Sequence, residues 1–109
     1  MASILLTLTS APETAGGRQG LALAESLAAE GHHLTMCCLQ DAVILGSHRA
    51  PEGTRAILDR LLDRGARCLV LHDDLVLRGL AAGERTVTVD RDGIVAALTA
   101  AHDRVLGAF

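Results

Sequence analysis

Apolar residues recur along this chain with two different periods. Ser3 to Thr9 is a short run of strand-forming residues that stops at Ser10-Ala11-Pro12. From Arg18 to Glu30 the period lengthens. Leu21, Leu23, Ala24, Leu27 and Ala28 share one helical face, Arg18, Glu25 and Glu30 lie off it, and Gly31 stands where a helix ends in a left-handed cap. Leu34 to Leu39 predicts a second strand. Asp41 is placed to cap a short apolar helix, and His48 to Gly53 reads as a loop. Thr54 opens a helix with Ile57, Leu58, Leu61 and Leu62 on one side, closed by Gly65. Cys68 to Leu71 has the look of a buried strand. Asp73 or Asp74 is placed to cap a further helix that Gly79 ends, Thr86 to Val89 predicts a fourth strand, and Asp90 or Asp92 opens a last helix running towards Leu106.

The predicted order is therefore β-α-β-α-α-β-α-β-α. Such alternation gives a mostly parallel sheet with right-handed crossovers and helices on both faces. Ligands and chemistry then gather at the carboxyl ends of the strands. Those ends are Thr9 to Pro12, Leu39 to Asp41, Leu71 to Asp74 and Val89 to Asp92.

Composition narrows the class. The 109 residues form one domain, 1–109, and half are hydrophobic, yet the only aromatic residue is Phe109, so the core must be aliphatic. A formal net charge of −3 supplies no basic field for nucleic acid or anionic lipid. No segment approaches the roughly 20 apolar residues of a membrane span. The first apolar run follows no basic stretch, so a signal peptide is not expected. Three cysteines, two of them the neighbours Cys37 and Cys38, argue for free thiols in a reducing cytoplasm rather than a disulfide framework.

Four groups of residues carry candidate chemistry. Ala15-Gly16-Gly17-Arg18-Gln19-Gly20 with Asp41 forms a degenerate dinucleotide fingerprint, the alternative being a Gly-rich start to a helix. His32, His33, Cys37, Cys38 and Cys68 are metal-ligand types without metal-ligand spacing, so no metal and no cofactor is expected. His32 and His33 read as solvated turn residues. Cys38, and Cys37 pointing the other way, are the candidate reactive thiols, because they lie near the top of the second strand and the helix expected after it. Cys68, at the far end of its strand, reads as a small buried hydrophobe. His72, where the third strand meets a helix, could orient a thiolate or donate to a substrate, and Arg78 suits the last turn of that helix.

These residues resemble a known family. Thr9-Ser10-Ala11-Pro12 followed by Gly17-Arg18-Gln19-Gly20-Leu21 resembles the strand-loop-helix start of the DsrF/TusC sulfur-relay subunits. Ala29-Glu30-Gly31-His32 and Gln40-Asp41-Ala42-Val43 are similar to stretches of DsrE/TusD and DsrH/TusB. Val70 to Leu75 and Leu77-Arg78-Gly79-Leu80 resemble DsrH/TusB, and the ending His102 to Leu106 with Phe109 is similar to the family's habit of closing on Asp, aliphatics and Phe. The resemblance implies a flavodoxin-like three-layer α/β sandwich (DsrE-like) that assembles into trimers or hexamers and passes persulfide sulfur between cysteines. It further implies partner subunits of the DsrE/DsrF/DsrH type and carriers resembling TusA or DsrC/TusE. In the DsrE/TusD branch the sulfur-accepting cysteine precedes the Arg of the Arg-Gly pair by seven residues. Counting back from Arg78, that position is Leu71.

Three readings follow. The chain is an intracellular sulfur-relay protein, sulfurtransferase-like at most, with Cys38 as the thiol whose loss would matter most and His72 and Arg78 in support. Alternatively it is a non-catalytic subunit that completes an oligomer and lacks the accepting cysteine. A third reading is a small-ligand or nucleotide-binding module that uses the Gly16 to Gly20 segment.

Overall fold

A computed structural model of the chain describes residues 2–100 and 102–108. Five strands, β1 (Ser3–Leu8), β2 (His33–Cys38), β3 (Arg67–Leu71), β4 (Val87–Val89) and β5 (Arg104–Ala108), form one sheet in the order β4-β3-β2-β1-β5. Every pairing is parallel. Four helices connect them: α1 (Ala15–Ala29), α2 (Glu52–Asp63), α3 (His72–Leu77) and α4 (Arg91–Thr99).

Strand alternation divides the core in two. Ile4, Leu6, Leu8, Leu34, Met36, Cys38, Cys68 and Val70 face one way and pack against Leu21, Ala24 and Ala28 of α1, Leu58 and Leu61 of α2 and Leu75 of α3. Leu5, Cys37 and Leu69 face the other way and meet Ile94 of α4. The chain thus steps outward from β1 to β4 with its helices on one face, then returns across the opposite face to place β5 beside β1. This is the arrangement that right-handed crossovers require. The α/β three-layer sandwich expected from the sequence is what forms. In flavodoxin the first strand lies between the second and third; here it lies between the second and fifth.

The largest departure from the sequence reading is at the C-terminal end. The last helix does not run to Leu106. It opens as expected, with the Asp90 carboxylate accepting from Gly93 N at 2.7 Å, but ends at Thr99, where Ala100 turns extended. Arg104–Ala108 is a fifth strand, with Val105 opposite Leu5 and Leu106 opposite Leu6. Asp103 anchors it: its amide donates to Ser3 O at 2.8 Å and its carboxylate accepts from Ser3 N at 2.7 Å. Phe109 lies outside the described residues.

Smaller shifts have local causes. α1 starts before Arg18 because the Thr14 hydroxyl accepts from Gly17 N at 3.1 Å. α2 starts at Glu52, after Pro51 rather than at Thr54. The segment after β2 is a 3-10 turn, Gln40–Ile44, that begins behind Leu39 and is not capped by Asp41. α3 begins at His72 behind Leu71, so neither Asp73 nor Asp74 is its cap.

Candidate functional site

The connections after β3 and β4 leave on opposite faces, α3 on one and α4 on the other, the topology at which an open parallel sheet forms a crevice at its strands' carboxyl ends. Ligands bind in such crevices in open parallel sheets. His72 stands there exposed, as the first residue of α3, with Asp73 exposed beside it. Behind them is a linked polar group. Gln40 adopts a left-handed backbone, φ 52°, at the start of the 3-10 turn. Its amide donates to Asp74 Oδ2 at 2.6 Å. Arg78 Nε donates to Asp41 Oδ1 at 2.9 Å, while Nη1 donates to the Asp74 carbonyl at 3.2 Å and lies 3.6 Å from Asp74 Oδ1. Asp74 and Arg78 stand one helical turn apart, the spacing at which opposite charges meet. The guanidinium thus ties α3 to the turn after β2, and Asp74 holds the one non-glycine residue with positive φ among those described.

The thiols do not join this rim. Cys37 and Cys38 are 0% exposed and Cys68 is 1% exposed. Cys37 packs between Leu5, Leu69 and Ile94 under α4, while Cys38 packs in the larger core with its Sγ 3.8 Å from that of Cys68. Burial pushes the Cys37 thiol from 9.0 up to about 11, with the nearby Cys68 adding to it. Cys38 is raised well above 9.0, first by its contact with the Cys68 thiol and then by burial. A reactive cysteine needs the reverse, a stabilised thiolate open to solvent. Cys37 and Cys38 therefore lie in the core, not at the accessible strand end where a reactive thiol was expected. Strand β2 ends in apolar layers on both faces. Cys68 is buried as the sequence suggested.

The glycine segment has a packing role. Gly17 and Gly20 lie inside α1 and are buried, not in a loop before it. A Cβ on Gly17 would come 1.9 Å from Ala11 O, and one on Gly20 would come 2.7 Å from a Leu8 methyl. These glycines let α1 press against β1 and the following loop. His32 is also more than a solvated turn residue: its Nδ1 accepts from Ala2 N at 3.0 Å and its Nε2 is 3.2 Å from Glu30 Oε2. His33 is exposed. Among the described residues, no three His, Cys, Asp or Glu side chains come together as a metal site. A cleft of about 520 Å³ between α1 and α2, floored by Leu21 and Ile57, is on the opposite sheet face from Cys37 and includes no thiol.

Sequence alone marks Asp41 only as the acidic residue of the dinucleotide fingerprint and as a cap, Asp74 only as a cap, and Gln40 not at all as a site residue. The Asp74–Arg78 spacing was the available signal for the helix half of the group, but nothing local marks Gln40.

Fold and rim together define a small parallel α/β protein with a polar carboxyl-end crevice and its thiols locked inside. The solved ychN protein from E. coli has the same fold, with a TM-score of 0.81 over 98% of this chain and 99% of that chain at 20% sequence identity. No protein-family model matches the sequence. No curated protein matches it either. No helix among the described residues is long and apolar enough to cross a membrane.

Proposed function

We propose that this chain is a non-accepting subunit of a cytoplasmic sulfur-relay assembly of the DsrE/DsrF/DsrH type, in which a partner's cysteine carries the sulfur. The observation that carries this reading is the combination of Leu71 at the accepting position with three buried thiols. The motifs that resemble DsrH/TusB, Val70 to Leu75 and Leu77 to Leu80, supply the family. They also coincide with the rim group built from Asp74 and Arg78.

Two further features support a subunit's role. α3 leaves Val76 and Leu77 exposed at 61% and 78%, directly beside the crevice. The α4 face is thin: Val87, Val95, Leu98 and Val105 remain exposed around a small buried cluster. Apolar surface of this kind marks contact with other chains. His72 and Asp73 would then meet the partner's thiol, and carriers resembling TusA or DsrC/TusE would dock at the same rim.

The test is to incubate the protein with a persulfide donor, alone and mixed with a cysteine-bearing relay subunit, and to measure intact masses and complex formation. The reading expects no added sulfur on this chain and a stable complex with the partner. Sulfur added to this chain's own cysteines would return the relay role to it. A monomer that binds no relay protein would remove both readings.

A further inference from the structure

The sheet ends in two unlike edges. β4 is three residues long and is entered through Glu84 and Arg85, whose guanidinium is tied to Asp59 at 3.3 Å and to Asp63 at 2.8 Å. A short strand behind charged side chains is how natural sheets keep other strands away. β5 has neither protection. It is five residues long, carries one charge, Arg104, at its start, and holds no proline. It pairs with β1 alone, and among the described residues no strand lies beyond it. Alternate residues of such a strand turn their N–H and C=O groups away from the single neighbour, so β5 presents a free row of donors and acceptors.

The flanks of that edge are apolar on both sides of the sheet. On the α1 side, a Cβ on Gly20 would stand 3.4 Å from that of Ala108, so the Gly20 side of α1 faces β5. Leu23 and Leu27 stand one and two helical turns beyond Gly20 and share its side, while Arg18 and Glu25 line the cleft towards α2 on the other. The stripe of Gly16, Gly20, Leu23 and Leu27 carries no charge, and Leu23 is 37% exposed. On the α4 side, Val105 is 53% exposed and Gly107, the next residue of β5 on that face, has no side chain.

We propose that β5 is the seam of a two-fold dimer of this chain, in which the β5 strands of two copies pair antiparallel about Leu106 and join their sheets into one. About that axis Val105 of each copy lies opposite Gly107 of the other, the position with room for it, and Leu106 meets its own copy. The helices follow. α1 links two parallel strands and so runs against them, and two residues of strand, about 6.6 Å, match about four residues of helix. An axis at Leu106, two residues before Ala108, therefore crosses α1 near Ala24 and brings Leu23 beside its own copy. Everything that meets across the seam is self-complementary, which selects a second copy over an unrelated strand. The seam is small, a strand about 17 Å long beside a helix of about 22 Å, so the dimer is reversible and of micromolar affinity. This inference does not rest on the relay reading, whose partner surface is the α3 rim nearer the β4 edge.

The test is sedimentation of the full chain from low to high micromolar concentration, with amide hydrogen exchange read at both ends of the range. The expected result is an equilibrium between monomer and dimer, with β5 amides exchanging more slowly where the dimer prevails. Leu23→Glu and Val105→Glu, both at exposed positions that leave the core intact, should each raise the dissociation constant at least about tenfold, because each buries an unpaired carboxylate at the seam. Mixing Leu23→Glu with Leu23→Arg should restore association, since opposite charges then meet at the axis. Leu77→Glu, on α3, should leave the dimer unchanged. A chain that stays monomeric throughout, a smallest assembly other than a dimer, a dimer indifferent to Leu23→Glu and Val105→Glu, or no restoration in the mixture would each overturn the seam.

Discussion

Raising the pH from about 8 to about 11 should destabilise this protein through its thiols, because no other side chain titrates across most of that window. The sequence contains neither Lys nor Tyr; all ten basic residues are Arg. In the unfolded chain a cysteine ionises near 9.0, while Cys37 in the fold holds its proton to about 11. Below about pH 9 both states are protonated and the full stability is present. Above it the unfolded state loses a proton that the folded state keeps, so stability falls as pH rises through the folded value. Two pKa units correspond to about 2.7 kcal/mol for Cys37. Cys38, shifted in the same direction, deepens the loss. Against a total stability of about 5–15 kcal/mol, this is a large fraction. Urea midpoints measured across the window read it, with thiolate absorbance as a second probe. Cys37→Ala should reduce stability at neutral pH but shrink the alkaline loss by about 2.7 kcal/mol. A stability that stays flat to pH 11, or thiolate appearing near its ordinary value in the folded protein, would refute the reasoning.

Other substitutions separate the fold's supports. Gly17→Ala drives a methyl into the Ala11 carbonyl and should lower stability by more than the ~1–3 kcal/mol usual for overpacking, read as a fall in Tm. Gln40→Gly relieves a left-handed backbone and should raise stability by about 1 kcal/mol in denaturant unfolding. Asp74→Ala removes the charged acceptor of the Gln40 amide and should cost about 1.5–3 kcal/mol, with faster amide exchange at Gln40. Arg78→Ala, whose ion pairs are partly exposed, should cost only about 0.2–1 kcal/mol while weakening the complex with a relay subunit, measured by calorimetry.

Periodicity made most of the fold legible before any coordinates. The stretches around Leu5, Met36 and Leu69 read as strands, the Leu21–Ala28 stripe read as a helix, and their alternation implied a parallel sheet. The fifth strand escaped because Arg104 to Ala108 pairs along one edge only, beside β1, and its alternation is too short to stand out from the Ala-rich helix before it. Asp41, Asp73 and Asp74 misled for a related reason. A carboxylate ahead of an apolar run looks like a cap, whereas Asp41 and Asp74 reach across to Arg78 and Gln40, contacts set by how α3 packs on the 3-10 turn. His72 does stand at the carboxyl end of the third strand, and Arg78 directly follows the last turn of α3. Cys37 and Cys38 were placed on the correct strand, but their depth could not be read from position, because burial at a strand's end depends on what the following turn and α4 lay over it.

Thiol accessibility in the native state goes to the heart of this account. Treated with a small alkylating reagent in buffer, the folded protein should keep all three cysteines unmodified, and in denaturant all three should react at once. A single cysteine that reacts in the folded protein at the rate of an ordinary free thiol would contradict it.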